Sequence, residues 1–294
     1  MQGKDILTAR AFAPAHITGF FEIHDHDEPM KKGSTGCGVV LDKGVYTSVT
    51  IAEDITDTVL TLNGNKVAGN TSKTVVEAMT ELPVKIESVS YIPIGCGFGA
   101  SGAGALGTAY ALNHALSLEL SASQLNDIAH VAELSNGSGL GDVTGQAYGG
   151  IPIRKTPGAP SMATVDLIPS GEAEVYCVVL GELSTKSVLN NQGMVRDINT
   201  AGKEAMRKLM QKPSVENFMF CSNEFTMQSK LASEKVMDAI EAARSMGVTA
   251  SQAMLGNTVF SIPQPSLGKE LEETFSGFGT VHRFKVRTGS IKII

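Results

Sequence analysis

A chain of 294 residues, 42% hydrophobic and 18% charged, has the balance of a globular protein that can bury a sizeable core, as one large domain or two fused lobes. Its 30 acidic and 24 basic residues leave a formal net charge of −6 with no Lys/Arg-rich run, which speaks against a nucleic-acid backbone as partner. No apolar stretch reaches the ~18–20 residues of a membrane span, and the polar start Met1–Arg10 predicts no signal peptide.

The first sixty residues read as short strands at Arg10–Ala13, Ile17–Ile23, Gly38–Leu41 and Val45–Ile51, separated by Gly, Pro and Lys turns. Asp57–Leu62 runs into Asn63-Gly64-Asn65, a strong hairpin signal. A helix is expected over Thr71–Leu82, a strand over Val84–Ile92, and a long apolar helix over Gly102–Leu118 after a Gly-rich loop. Ser121-Ala-Ser-Gln124 is a capping box that opens another helix, with Leu125, Ile128, Ala129 and Ala132 as its apolar stripe. A second Gly-rich loop spans Gly137–Gly150, followed by strands at Ile151–Arg154, Ala163–Leu167 and Val175–Leu180. Helices are expected over Gly193–Gln211, Ser214–Gln228 and Ser233–Met246, then a strand pair around Met254–Ile262 and a last strand at Val281–Val286. The coarse class is α+β, β-rich first and helix-rich after. Cys37, Cys96, Cys177 and Cys221 never form C-x-x-C, which predicts free thiols in a reducing cytoplasm rather than a zinc site or disulfide framework.

Glycine is concentrated rather than spread, with six in Gly95–Gly107 and six in Gly137–Gly150. The first cluster, Pro93-Ile-Gly-Cys-Gly-Phe-Gly-Ala-Ser101-Gly, leaves a strand and opens a helix. Unpaired N–H groups at the positive end of a helix suit a phosphate. It is not a Walker loop, because no G-x-x-x-x-G-K-[ST] is present. Gly97-Phe-Gly99-Ala-Ser-Gly102 satisfies G-x-G-x-x-G, but a dinucleotide fold needs a following strand that ends in an acid. Here another helix follows instead.

The pattern P-x-x-x-G-[LF]-G-[SA]-S-[GA]-A resembles the central motif of the GHMP kinase family. Ala13-Pro14-Ala15-His16-Ile-Thr-Gly19-Phe-Phe-Glu22 is similar to the family's amino-terminal motif, with His16 where relatives carry Lys. Met254-Leu255-Gly256-Asn257-Thr258 sits where the family places a glycine motif beside the nucleotide. Gly33-Ser-Thr-Gly-Cys-Gly, Gly139-Leu-Gly-Asp-Val-Thr-Gly and Ser184-Thr-Lys-Ser resemble the archaeal subgroup that phosphorylates pantoate. The resemblance implies a ribosomal-S5-like N-terminal lobe over 1–160, an α/β C-terminal lobe over 161–294, and ATP and Mg²⁺ as cofactors. It implies transfer of phosphate to the 4-hydroxyl of (R)-pantoate in coenzyme A biosynthesis, and a homodimer. Other family acceptors (homoserine, shikimate, mevalonate-pathway alcohols) and a non-catalytic ligand sensor of this fold stay open.

By the same resemblance the loop Pro93, Gly95, Cys96, Gly97, Phe98, Gly99, Ala100, Ser101 and Gly102 holds ATP, Ser101 and Glu133 hold Mg²⁺, and Asp142 is the catalytic base. A carboxylate substrate needs a cation or several donors, for which His16, Arg154 and Lys186 are candidates, with Ser184 and Thr185 for hydroxyls or phosphate. His24-Asp25-His26-Asp27 and Lys31-Lys32 read as a solvated turn, since one H-x-H pair lacks a distant third ligand.

Overall fold

The computed structural model describes residues 6–183 and 191–294. Strands β1 (Leu7–His24) and β2 (Gly33–Ile51) form one long antiparallel hairpin, running from Leu7↔Ile51 to His24↔Gly33. The breakers that suggested four short strands fall at register shifts between Pro14 and His16 and between Thr18 and Phe20. Pro14 and Gly19 therefore bend β1 rather than end it. The solvated turn expected around Asp25 and Lys32 is the hairpin's connection, where Lys31 pairs with Glu28 and Lys32 with Asp25.

Strands β3 (Val59–Leu62) and β4 (Asn65–Val67) flank a turn in which Asn63 and Gly64 both take positive φ, 50° and 81°. That conformation is what Asn-Gly supplies at least cost. Helix α1 (Asn70–Met79) then crosses over to β5 (Lys85–Ser90), which pairs antiparallel with β2 and parallel with β3. Helices α2 (Ala100–Leu116) and α3 (Ala122–Asn136) pack with α1 and with each other, α2 lying against β1 and β2. Alanines on both flanks of α2, from Ala103 to Ala111, are buried, as expected for a helix enclosed on several sides. The α3 capping box is formed: Ser121 Oγ accepts from Gln124 N, and Ser121 N donates to Gln124 Oε1 at 3.0 Å.

The second Gly-rich loop is not all loop. It contains α4 (Asp142–Tyr148), started at Gly141 with no side-chain cap. Strand β6 (Ile151–Arg154) then pairs with β2, and β7 (Val165–Ile168) pairs with β6. The first sheet thus runs β12-β1-β2-β5-β3-β4 with β6 and β7 attached, where β12 is Lys292–Ile293. The chain leaves this sheet after Ile168 and returns to it at β12.

The second sheet is antiparallel in the order β11-β8-β10-β9, made of Thr280–Lys285, Glu174–Gly181, Asn257–Ser261 and Ser251–Ala253 respectively. Helices α5 (Gln192–Gln211) and α6 (Val215–Ser229) form a hairpin against β1. There Gly202 lets α5 press on the Phe21 carbonyl, and Asn199 bonds both Ile23 N (2.8 Å) and Ile23 O (3.1 Å). Helices α7 (Glu234–Ser245) and α8 (Gly268–Ser276) cover the second sheet. The sequence reading missed α8, a short helix between Gly268 and Gly277, and β12, which two residues form only by pairing with Ala11 and Phe12. One hydrophobic cluster draws on both sheets and includes Phe20, Phe98, Phe218 and Phe260. All four cysteines are buried and free. Among the described residues no helix is long and apolar enough to cross a membrane.

Candidate active site

The loop from Pro93 to Gly99 joins β5 to α2, and Gly95, Gly97 and Gly99 have φ of 74°, 91° and 64°. Such a left-handed alternation turns successive N–H groups toward one side. No side chain caps α2, so its first N–H groups lack an intrahelical partner and face the open end of the helix. The side chains of Cys96 and Phe98 are buried, whereas Ile94 is exposed and lines the cavities beside the loop. Phe98 is buried against Phe284 (ring centroids 5.7 Å apart), and Cys96 Sγ donates to Ile94 O. The loop is stitched to the second sheet by Leu183 N donating to Gly95 O (3.2 Å) and Thr258 Oγ1 donating to Cys96 O (2.8 Å). Gly256 is packed so closely on Cys96 that a Cβ there would strike the loop backbone.

Two acidic side chains meet at this loop. Glu133, in the last turn of α3, is buried; its Oε1 accepts from Ser138 Oγ at 2.9 Å, and the Ser101 hydroxyl lies beside the same carboxylate. Burial, then the nearby Asp142 charge, pushes the Glu133 pKa up to about 7 against these contacts. A hydroxyl chain ties the pieces together: Ser101 Oγ donates to Thr71 Oγ1 at 3.2 Å, and Thr71 Oγ1 lies 3.1 Å from Ser138 Oγ. All of these donors are oxygens, so Ser101 and Glu133 form a set suited to a hard divalent cation, and the proton demand of Glu133 marks where positive charge is wanted. Among the described residues there is no group of three His, Cys, Asp or Glu side chains that would bind a metal alone.

Asp142 opens α4 beside the loop, close to Gly99, and Gln146 Nε2 anchors the helix by donating to Gly99 O at 2.8 Å. His16 Nδ1 lies 2.7 Å from Asp142 Oδ1. His16 itself is completely buried, and it lines none of the cavities around the loop. Its ring stands behind Asp142, where burial holds it below the ordinary imidazole range. Arg154, at the end of β6, is 1% exposed, and none of its three guanidinium nitrogens has a partner among the described residues. Burial lowers its pKa while the Asp142 charge opposes that shift.

Three cavities converge. A groove of about 260 Å³ over the glycine-rich loop is lined by Gly95, Gly97, Gly99, Ser101, Ser138 and Asp142. A narrow pocket of about 20 Å³ is walled by Phe21, Ser34, Leu140, Met254 and Arg154, and it shares Asp142 with the groove. On the other side an apolar cavity of about 440 Å³, walled by Val45, Leu60, Leu62 and Val67, shares Ala100 and Ser101 with it. Asp142 thus stands where the groove meets the pocket, the place where one ligand's phosphate would face another ligand's hydroxyl.

The comparisons with known proteins agree with this geometry. Residues 66–150 match the GHMP kinase N-terminal domain. The chain is 35% identical to the pantoate kinase of Methanocaldococcus jannaschii over 90% of this chain and 95% of that one. The chain belongs to the GHMP kinase family. A second relative, the pantoate kinase of Thermococcus kodakarensis, is 34% identical over 92% of both chains. A solved structure described as a phosphotransferase related to the CoA biosynthesis pathway superposes with a TM-score of 0.89 at 29% identity, covering 98% of each chain. The family and fold are those expected from the motifs, and this GHMP kinase is an ATP-dependent phosphotransferase.

Of the residues singled out from the sequence, the structure gathers the loop Gly95–Gly102, Ser101, Glu133, Asp142 and Arg154 around one groove and pocket, with His16 one layer behind. Ser184, Thr185 and Lys186 lie outside the described residues. Thr71, Ser138 and Gln146 went unnoticed, and Ser34 and Phe21 were quoted in motifs without a role. Ser138 and Gln146 could have been suspected from their place in the second Gly cluster, whereas nothing in the sequence around Thr71 marks it.

Proposed function

We propose that this GHMP kinase transfers the γ-phosphoryl group of ATP to the 4-hydroxyl of (R)-pantoate, giving ADP and 4-phosphopantoate in coenzyme A biosynthesis. The observation that carries the acceptor is Arg154. A buried guanidinium without partners is costly, and it lies in a pocket whose other walls are largely apolar, next to Asp142. The pocket, at about 20 Å³, has room for little more than a carboxylate at Arg154, so the rest of a small acid, with its branched methyl groups beside Met254 and Leu255 and its hydroxyl at Asp142, would extend into the adjoining groove. An α-amino acid acceptor would bring an ammonium beside Arg154 with Asp142 as the pocket's one acid among the described residues. The names of the two archaeal relatives support the same acceptor.

In this reading the N–H groups of Gly95–Ser101 and the start of α2 cradle the phosphates, and the apolar cavity beside Ser101 takes the nucleoside. Ser101 and Glu133 would hold Mg²⁺, which offsets the phosphate charge when bound. Arg154 fixes the acceptor by its carboxylate, so that the hydroxyl is presented to Asp142. Asp142 accepts the hydroxyl proton as the oxygen attacks phosphorus, and little beyond positioning and charge stabilisation is needed. The test is an ADP-release assay with Mg²⁺-ATP against pantoate, pantothenate, homoserine, shikimate and mevalonate. Turnover confined to pantoate is expected. Turnover on another acceptor discards the substrate, and none on any of them revives the ligand sensor.

A further inference from the structure

We infer that His16 is a positioning residue that orients Asp142, through a neutral imidazole with its proton on Nδ1. The inference rests on Asp142 being the base. His16 occupies the point where β1 shifts register, between the pairs Pro14↔Gly44 and His16↔Val40. The shift re-aims the residue toward the catalytic loops. Its main-chain N–H donates to Phe98 O of the phosphate loop at 3.1 Å, and its side chain meets Asp142 Oδ1 at 2.7 Å. A single residue therefore fixes the base relative to the phosphate cradle.

The surroundings select the protonation state. An ionised carboxylate only accepts, so the short contact requires Nδ1 to carry the proton. Among the described residues Nε2 has no partner, and Gly38 and Gly145 close on that side of the ring so tightly that a Cβ at either would collide with it. A proton on Nε2 would be a buried donor without an acceptor. The charged groups that face the ring are Asp142 and Arg154, and the second opposes a cationic imidazole. With Oδ1 engaged by Nδ1–H, the other carboxylate oxygen is left to face the acceptor pocket. Any bulky cation at this position, including the Lys of related motifs, would meet the same glycine walls.

The substitutions that test this differ in where they put a donor. His16→Asn places an amide N–H near Nδ1, His16→Gln places one near Nε2, and His16→Leu fills the space alone. Losing one hydrogen bond to a charged group predicts that His16→Leu and His16→Gln lower kcat by about 10–100-fold, with KM for ATP little changed. His16→Asn should recover most of that loss. A structural role would instead be served better by Leu or Gln, so equal kcat in all three folded variants overturns the inference. Asp142→Asn is run alongside: if it keeps wild-type kcat, the base assignment fails, whereas an inactive Asp142→Asn with unimpaired His16 variants sinks only the positioning role. Should the variants not fold, ¹⁵N-histidine NMR of the wild-type enzyme decides. The Nδ1–H neutral tautomer is expected for His16, and an imidazolium or an Nε2–H tautomer at neutral pH refutes it.

Discussion

Glu133 Oε1 and Ser138 Oγ are 2.9 Å apart, joined across the C-terminal end of α3 just where the helix gives way to the second Gly-rich loop. Ser138 is thereby tied to the acid through its side chain, while Gly139 lies so close to Glu133 that no Cβ fits between them. The carboxylate is walled in and titrates high, up to about 7 from 4.5. A folded-state pKa above the unfolded one means that the native state holds a proton the unfolded chain has lost. The associated stability is fully present below about 4.5 and disappears as pH rises through about 7, a change on the order of 3 kcal/mol. In cation-free buffer, urea denaturation should therefore show the wild type losing stability over that window relative to Glu133→Gln. Mg²⁺ added at pH 8 should stabilise the wild type and leave the Gln variant where it was.

Arg154 predicts an opposition between stability and activity. Replacing its guanidinium, unpartnered among the described residues, with the shorter, flexible and apolar Met removes a buried charge. The melting temperature of Arg154→Met without ligands should match or exceed that of the wild type. Its kcat/KM for pantoate should fall at least about 100-fold, since a buried charge pair with the substrate is lost. KM for ATP should change little. A large rise in KM for ATP would place Arg154 on the nucleotide instead.

Gly256 predicts sensitivity of the phosphate loop to the second sheet. A methyl group there must displace the backbone of Cys96 and Gly97, and Gly97 is already at φ 91°. Gly256→Ala should destabilise the protein by about 1–3 kcal/mol and weaken ATP binding about tenfold or more. Isothermal titration with a non-hydrolysable ATP analogue measures the second effect.

Thr71 tests the hydroxyl chain. Thr71→Val keeps shape but leaves Ser101 and Ser138 without their shared partner. The expected cost is about 1–3 kcal/mol of stability and a several-fold rise in the Mg²⁺ concentration needed for half-maximal rate. An unchanged Mg²⁺ requirement would separate Thr71 from the cation site.

The parts of the molecule governed by local chemistry were legible in the residues. The Asn63-Gly64 turn, the Ser121 capping box and the strand–glycine–helix passage at Pro93–Ser101 each specify their conformation within a few residues. What escaped depended on distant partners. α4 is bracketed by Gly139, Gly141 and Gly149, whose local preference is against a helix, and is held by Gln146 on the loop at Gly99. β12 exists only through its pairing with β1. His16 illustrates the same limit in the site. Its place in the motif, where relatives carry Lys, suggested a cation for substrate, while the fold buries it between Gly38 and Gly145, behind Asp142 and off the cavities around the loop.

The bonds from Leu183 to Gly95 and from Thr258 to Cys96, with Phe98 packed on Phe284, have a thermodynamic meaning beyond the site. The segment proposed to receive triphosphate is also the seam between the two sheets, so neither sheet can unfold while the other keeps that loop formed. Denaturation should be a single cooperative transition despite the two-lobed architecture. ATP, by mass action on that seam, raises the melting point of the whole chain rather than of one half.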